Sequence, residues 1–234
     1  MKRTTTTTTT APAKRARRTG PKSYKIRTAR RNMLGNPQQS IGFPNSMVMK
    51  HRYVSSFLGL TLTSGGSNSY KFSANGMYDP DISGGGHQPK YFDNMTSIYN
   101  HYHVLGSKIT LKFVNQTGAM QVPVTVYLSD STSPLGTWDS AAEEQTASNT
   151  IVPAAQTDSS PRTLTCKFSA KKYFNGDIVD NDQLKGTVAG NPAEQMYYII
   201  IARPMDLSTT CLLAFTAEIE FYAVWSERYS TAEN

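Results

Sequence analysis

"VLGSKITLKFVNQTGAMQVPVTVYLS", Val104 to Ser129, decides the fold class. In its first half Ile109, Leu111 and Phe113 recur at every second position, which puts them on one face of a strand. Thr117-Gly118 then marks a turn, and the second half, Gln121 to Ser129, is rich in the β-branched and aromatic residues that suit a pleated surface. The stretch reads as two strands joined in a hairpin.

The same signals recur on both sides of it. "MVMKHRYVSSFLGLTL", Met47 to Leu62, is a long strand bounded by Pro44 and by the turn "SGGSNS", and "YKFSA", Tyr70 to Ala74, returns from that turn as the second arm of another hairpin. "RTLTCKFSA", Arg162 to Ala170, places Leu164, Cys166 and Phe168 on one face, and Lys171 to Phe174 is a short further candidate. "MYYIIIARP", Met196 to Pro204, is a continuous apolar run. "CLLAFTAEIEFYAVW", Cys211 to Trp225, sets Ala217, Ile219 and Phe221 opposite Glu218 and Glu220. That makes eight strands. The one helical signal is a turn or two around "DNMTSIYNHY", with Asp93 placed to cap it. Three long segments, Asp79 to Tyr91, Asp130 to Pro161 and Asn175 to Pro192, read as irregular, and loops of that length carry function or contacts. Strands, long loops and no helical layer predict an all-β chain: a single eight-stranded antiparallel jelly-roll sandwich. An immunoglobulin-like sandwich is the structural rival, but it lacks its Cys to Trp to Cys spacing here.

Charge divides the 234 residues differently. Up to Arg31 there are eleven basic residues (Lys2, Arg3, Lys14, Arg15, Arg17, Arg18, Lys22, Lys25, Arg27, Arg30 and Arg31) and no acidic one. The remainder holds thirteen of the 24 Lys and Arg against all 17 Asp and Glu, so the net charge of +7 is a strongly basic tail on a slightly acidic body. The tail has too few large apolar residues to offset the entropy of ordering, and a run of seven threonines followed by Pro12 and Pro21 favours no helix. Residues 1–35 are therefore expected to be a disordered arm and 36–234 the folded domain. A solvated tail is the plain reading of such a segment. The functional one is nucleic-acid binding by those eleven side chains, each phosphate neutralised releasing counterions, with arginine forks favoured around Lys14 to Arg18. Lys14, Arg15, Arg17 and Arg18 also match a nuclear-localisation address.

Little points to catalysis. His101 and His103, two apart, would share a strand face, but no third ligand is near in sequence. Asp79 and Asp81 in "DPDISGGG" lack the ligand spacing of a calcium loop and read as a turn built on Pro80 and glycines. "SGGS" and "SGGGH" match neither a phosphate loop nor a dinucleotide fingerprint, and no Ser sits in a nucleophile elbow. Cys166 reads as a core thiol, and with Cys211 the only other cysteine, two buried free thiols are expected in a reducing compartment. The expectation is no enzyme, no metal site and no cofactor. No run of about eighteen apolar residues predicts membrane insertion, and no signal peptide is evident. Asn94-Met-Thr and Asn115-Gln-Thr match the glycosylation acceptor pattern by chance. "YFDNMTSIYNHYH" packs four Tyr or Phe within Tyr91 to His103, as core residues or as an interface or base-stacking platform.

One block adds a family resemblance. The acid-free arm leads into "GFPNSMVMKHRYV" and then "FSANGMYDPDISGGGHQPKYFDNMTSIYNHYHVLGSKITLKFVN", Phe72 to Asn115. The pattern carried by Asn75 to Asp93 and Tyr99 to Ile109 resembles the capsid proteins of circovirus-like, replication-initiator-encoding small circular single-stranded DNA viruses. The resemblance implies a jelly roll assembling as sixty copies in a T=1 icosahedral virion, with the arm inside on the genome and the loops forming the outer surface and the contacts around the symmetry axes. It implies as partners the chain itself, a single-stranded DNA genome, the nuclear import machinery and an unidentified host receptor, and as locations the virion and the host nucleus. The coat of a small RNA or satellite virus uses the same shell fold and a similar arm, and phosphate contacts do not tell DNA from RNA. A cellular jelly-roll module with a basic nuclear tail is the third reading.

Overall fold

The computed structural model describes residues 42–117, 119–206 and 210–229. Nine strands run in the order β1 (Ser46–Leu62), β2 (Asn68–Ser73), β3 (Tyr99–Asn115), β4 (Val122–Ser129), β5 (Ser148–Val152), β6 (Arg162–Ser169), β7 (Lys185–Thr187), β8 (Tyr197–Ala202) and β9 (Cys211–Arg228). Short helices interrupt them: α1 (Phe92–Thr96), α2 (Trp138–Ala142), α3 (Ala170–Phe174) and a 3-10 turn at Asp182–Leu184. One sheet has the order β1-β9-β3-β6, with β7 also on β3, and the other has the order β2-β8-β4-β5. Every pairing is antiparallel. Two four-stranded sheets whose chain crosses back and forth between layers make a jelly roll, and β7 is an addition to its eight strands.

That crossing corrects both expected hairpins. β1 pairs with β9 and β2 with β8, while β3 pairs with β9 and β6 and β4 with β8 and β5. β3 and β4 therefore lie in different sheets, about 10 Å apart, instead of pairing as neighbours in one. Period-two patterning fixes which face of a strand meets the core. It is silent on which strand lies beside it, because a hairpin and a sandwich crossing bury the same residues.

Ile109, Leu111 and Phe113 of β3, Leu164, Cys166 and Phe168 of β6 and Ala217, Ile219 and Phe221 of β9 face Val122, Val124 and Val126 of β4 and Tyr198, Ile200 and Ala202 of β8 across one buried core. The unbroken apolar run in β8 has its own cause. Ile199 and Ile201 point the other way, into a second cluster with Tyr127, Ala141, Leu135 and Trp138. The middle of the four-stranded sheet, at β8 and β4, is thus buried on both faces.

The remaining differences are local. Lys171 to Phe174 is not a strand but belongs to α3, where Ala170, Tyr173 and Phe174 meet the core at i, i+3 and i+4. The Tyr173 ring stacks on Phe168 with centroids 5.7 Å apart. β5, β7 and α2 lie inside two of the segments read as irregular, and α2 is capped by Thr137, whose hydroxyl accepts from Ser140 N. Asp93 does not cap α1. Tyr91 occupies the N-cap at φ 70 without a side-chain bond, and Asp93 lies in the first turn, where a negative charge suits the helix dipole. β3 also begins at Tyr99, taking in the last five residues of the aromatic-rich stretch, while α1 holds Phe92 to Thr96.

Candidate functional site

The eleven expected nucleic-acid-binding residues, Lys2 to Arg31, including the nuclear address Lys14 to Arg18, lie outside the described residues, as does the expected arm boundary at residue 35. Two other groups of polar side chains lie within the described residues: the motif block after β2 and the histidines of β3.

Past β2 the chain leaves its sheet through Asn75, which is 2% exposed. Its side-chain nitrogen donates to the Glu194 carbonyl and its oxygen accepts from Met196 N, both at 2.9 Å. Gly76 N donates to Ser73 Oγ, and a Cβ at Gly76 would lie 2.5–2.6 Å from Asn191 and Ser73 side-chain atoms, so only glycine fits. The buried Tyr102 hydroxyl accepts from Met77 N and Tyr78 N, at 3.1 and 3.3 Å. Asn191 Oδ1 accepts from Tyr78 N and Asp79 N, and its Nδ2 donates to the Asp79 carbonyl. Two side chains from distant strands and loops thereby satisfy a turn that has no backbone ladder of its own.

Asp81 is also 2% exposed. Tyr70 donates to its Oδ2 at 2.8 Å, and Ser83 N and Oγ donate to its Oδ1 at 3.0 and 2.7 Å. Those bonds tie the carboxylate to its own segment, and Ile82 to Gly85 form a turn, with Gly84 at φ +77. Burial, then the neighbouring Asp81, raises the Asp79 pKa. Beyond the turn His87 stacks on Tyr53 at 4.7 Å, and Lys90 N donates to the Arg52 carbonyl of β1. Trp225 Nε1, which can only donate, reaches His51 Nε2 at 2.9 Å, so the His51 proton sits on Nδ1 and donates to the Lys90 carbonyl at 3.2 Å. Phe92 closes this segment, a strap from Asn75 to Phe92, against Tyr102 and Trp225, with ring centroids 5.6 and 5.5 Å away.

The block that carries the resemblance is therefore internal joinery, tying β1, β2, β3 and β9 at one end of the sandwich. Of the four aromatics between Tyr91 and His103, Phe92, Tyr99 and Tyr102 are core and Tyr91 alone is exposed.

His101 and His103 do share a face of β3, opposite β7. His101 Nε2 lies 3.0 Å from Glu227, and Lys185 bridges Asp182 and Glu227 at 3.0 and 3.7 Å. His103 is buried beside them, and burial, then Lys185 and His101, hold its pKa below the usual imidazole value. Among the described residues no three His, Cys, Asp or Glu side chains are grouped to hold a metal ion. Cys166 and Cys211 are free and buried, and burial pushes the Cys166 thiol up to about 11, which removes it as a nucleophile at neutral pH. No described helix is long and apolar enough to cross a membrane.

Two features escaped sequence reading. Phe57 is 96% exposed at φ 63, in an irregularity of β1 between Ser55 and Leu58. The only sequence signal is an apolar residue breaking the alternation. The second is a row of lysines on the outer face of β3 and β6, visible only once the register is known.

No family model and no curated protein matches the sequence. Among solved structures the chain is similar to the 60-mer BFDV capsid protein, at 9% identity and a TM-score of 0.46, over 82% of this chain and 100% of that one. It is similar to Cocksfoot mottle virus at 11% identity and 0.46, over 79% and 97%, and to Desmodium yellow mottle tymovirus at 11% and 0.40, over 100% of both. The fold rests on the strand order of the two sheets and not on these likenesses.

Proposed function

We propose that this chain is the coat protein of a small icosahedral virus of the circovirus-like type. The observation that carries the reading is the separation of labour along the chain: eleven basic residues without one acid, followed by a jelly roll whose own net charge is slightly negative. A polyanion is held by the first part, and self-association is left to a body that does not strongly repel its copies. In this reading sixty bodies close a T=1 shell. Lys2, Arg3, Lys14, Arg15, Arg17, Arg18, Lys22, Lys25, Arg27, Arg30 and Arg31 contact a single-stranded DNA genome inside it, and Lys14 to Arg18 direct the unassembled chain to the nucleus. The exposed Phe57 and Tyr91 suit contacts between copies, since large exposed aromatics are the groups that interfaces bury.

The test is to purify particles of the full chain, sequence what they contain, and repeat with Met1 to Arg31 deleted. Packaged single-stranded DNA that vanishes on deletion is the expected result. Packaged RNA would move the chain to the RNA-virus coats, and unchanged nucleic-acid content in the deletion would overturn the role given to the arm.

A further inference from the structure

The outer face of the β1-β9-β3-β6 sheet carries a charge pattern that the arm does not explain. Strand register sets Arg52, Glu220, Lys108 and Lys167 side by side across the four strands, and sets Lys50, Tyr222, Gly106 and Ser169 side by side in the next outward row. The face has two carboxylates, and both are taken: Lys50 pairs with Glu220 and Arg52 with Glu218. Lys108, Lys112 and Lys167, with Lys171 and Lys172 of the adjoining α3, make no ion pair among the described residues. Lys108 and Lys167 are direct cross-strand partners, an arrangement that costs stability because like charges face each other about 4.8 Å apart at the backbone.

Seven of the thirteen basic residues after Arg31 lie on this face or on α3, against two of the 17 acidic ones. The body is slightly acidic in sum and basic here. A groove of about 660 Å³ crosses the patch, lined among others by Gly106, Lys108, Lys167, Ser169, Lys172 and Tyr222. Gly106 in its floor lets β3 lie close to β6, since a Cβ there would lie 2.9 Å from the Phe168 carbonyl oxygen. Tyr222 is 45% exposed at its edge, a flat aromatic with Lys50 Nζ 5.5 Å from its ring centroid.

We infer that this face is a second nucleic-acid site, binding a single strand with Lys108, Lys167 and Lys172 on phosphates and Tyr222 stacked on a base. The inference rests on the coat-protein reading for the identity of the polyanion, and in a shell it makes this the face turned to the lumen.

The experiment uses the full chain and a fluorescent thirty-nucleotide oligothymidylate titrated over a range of salt. Lys108→Thr/Lys167→Thr is compared with Lys71→Thr/Lys90→Gln, which removes the same charge elsewhere. Each lost single-strand phosphate contact takes about 0.7 from the slope of log K against log salt, so the face variant is expected to lose about 1.4 and to bind on the order of tenfold more weakly at low salt. The control should keep more of both. Lys108→Arg/Lys167→Arg should restore binding, and the face variant should melt no lower than the parent because a repulsive pair is gone. A face variant indistinguishable from the control overturns the site. So does one that keeps oligothymidylate but loses heparin, which would assign the face to a sulfated glycan. Electron microscopy of the parent separates the two claims: a slope change without shells keeps the face and defeats the coat reading, and shells without a slope change do the reverse.

Discussion

Ile199 and Ile201 of β8 point away from the main core and are buried, whereas Glu218 and Glu220 of β9 point away from it in the other sheet and reach solvent. The difference is what covers each sheet. Over the four-stranded sheet the chain between β4 and β5 folds back: Tyr127 accepts from Leu135 N at 2.9 Å, and Arg203 lies 5.7 Å above the Trp138 ring and 3.3 Å from Asp139. Across the middle of the β1-β9-β3-β6 sheet the outward residues are charged or hydroxylic apart from the exposed Val54, and cover begins only at the end where His103 is buried beside Lys185 and Asp182. One outer face has been spent on stability. The other has been kept open, with like charges opposed, at some cost to stability.

That contrast can be broken most sharply by truncation. Ile201→Ala on the covered face is expected to cost about 2–5 kcal/mol, and Thr165→Ala on the open face less than about 0.5 kcal/mol, as read from urea unfolding. Equal costs would mean that both faces are packed alike.

Acid should act next most strongly, at the covered end of the open sheet and under the strap. His51 must stay neutral to accept from Trp225, and His103 is held neutral by burial, then by Lys185 and His101, against the opposing pull of Asp182. Both folded pKa values lie below the ordinary 6.5, so the unfolded chain binds more protons over that window. Stability should therefore fall as pH drops from about 7 towards 5, by at most about 1.4 kcal/mol per pH unit per proton. His103→Gln should flatten part of that slope in a thermal melt series. An unchanged slope would remove His103 from the account.

Smaller effects belong to the edge and the surface of the open sheet. Phe57 holds a left-handed backbone that costs a non-glycine residue about 1–2 kcal/mol and gains no burial in return. Phe57→Gly should stabilise the unassembled chain by about 1 kcal/mol while weakening association, and a loss of stability would show that the ring packs in the free chain. Lys167→Thr should stabilise by a few tenths of a kcal/mol, because Lys167 faces Lys108 alone whereas Lys108 also faces Glu220.

Much of this was legible in the residues. Alternation located the inward faces of β3, β6 and β9, because a half-buried strand must display its period. The partners of each strand were not legible: Gln116 to Gln121 resembles a hairpin turn whether it joins neighbours or crosses layers. Short elements such as β5 and β7 leave too few residues for a period to show, and Ala170-Tyr173-Phe174 displays a helical spacing over a single turn only. The strap was visible as a motif but not as joinery, because the hydrogen-bond partners of Asn75 and Tyr78 come from residues 191–196, more than a hundred positions away. The lysine pair was hidden for the same reason, since Lys108 and Lys167 are neighbours only through register.

The account is tested most directly by imaging purified full-length chain by electron cryomicroscopy, at a resolution that places the two sheets. Uniform closed particles with the Lys108 and Lys167 face lining the lumen are the predicted result. A chain that stays monomeric across pH and salt, or a shell that turns this face outward, would contradict it.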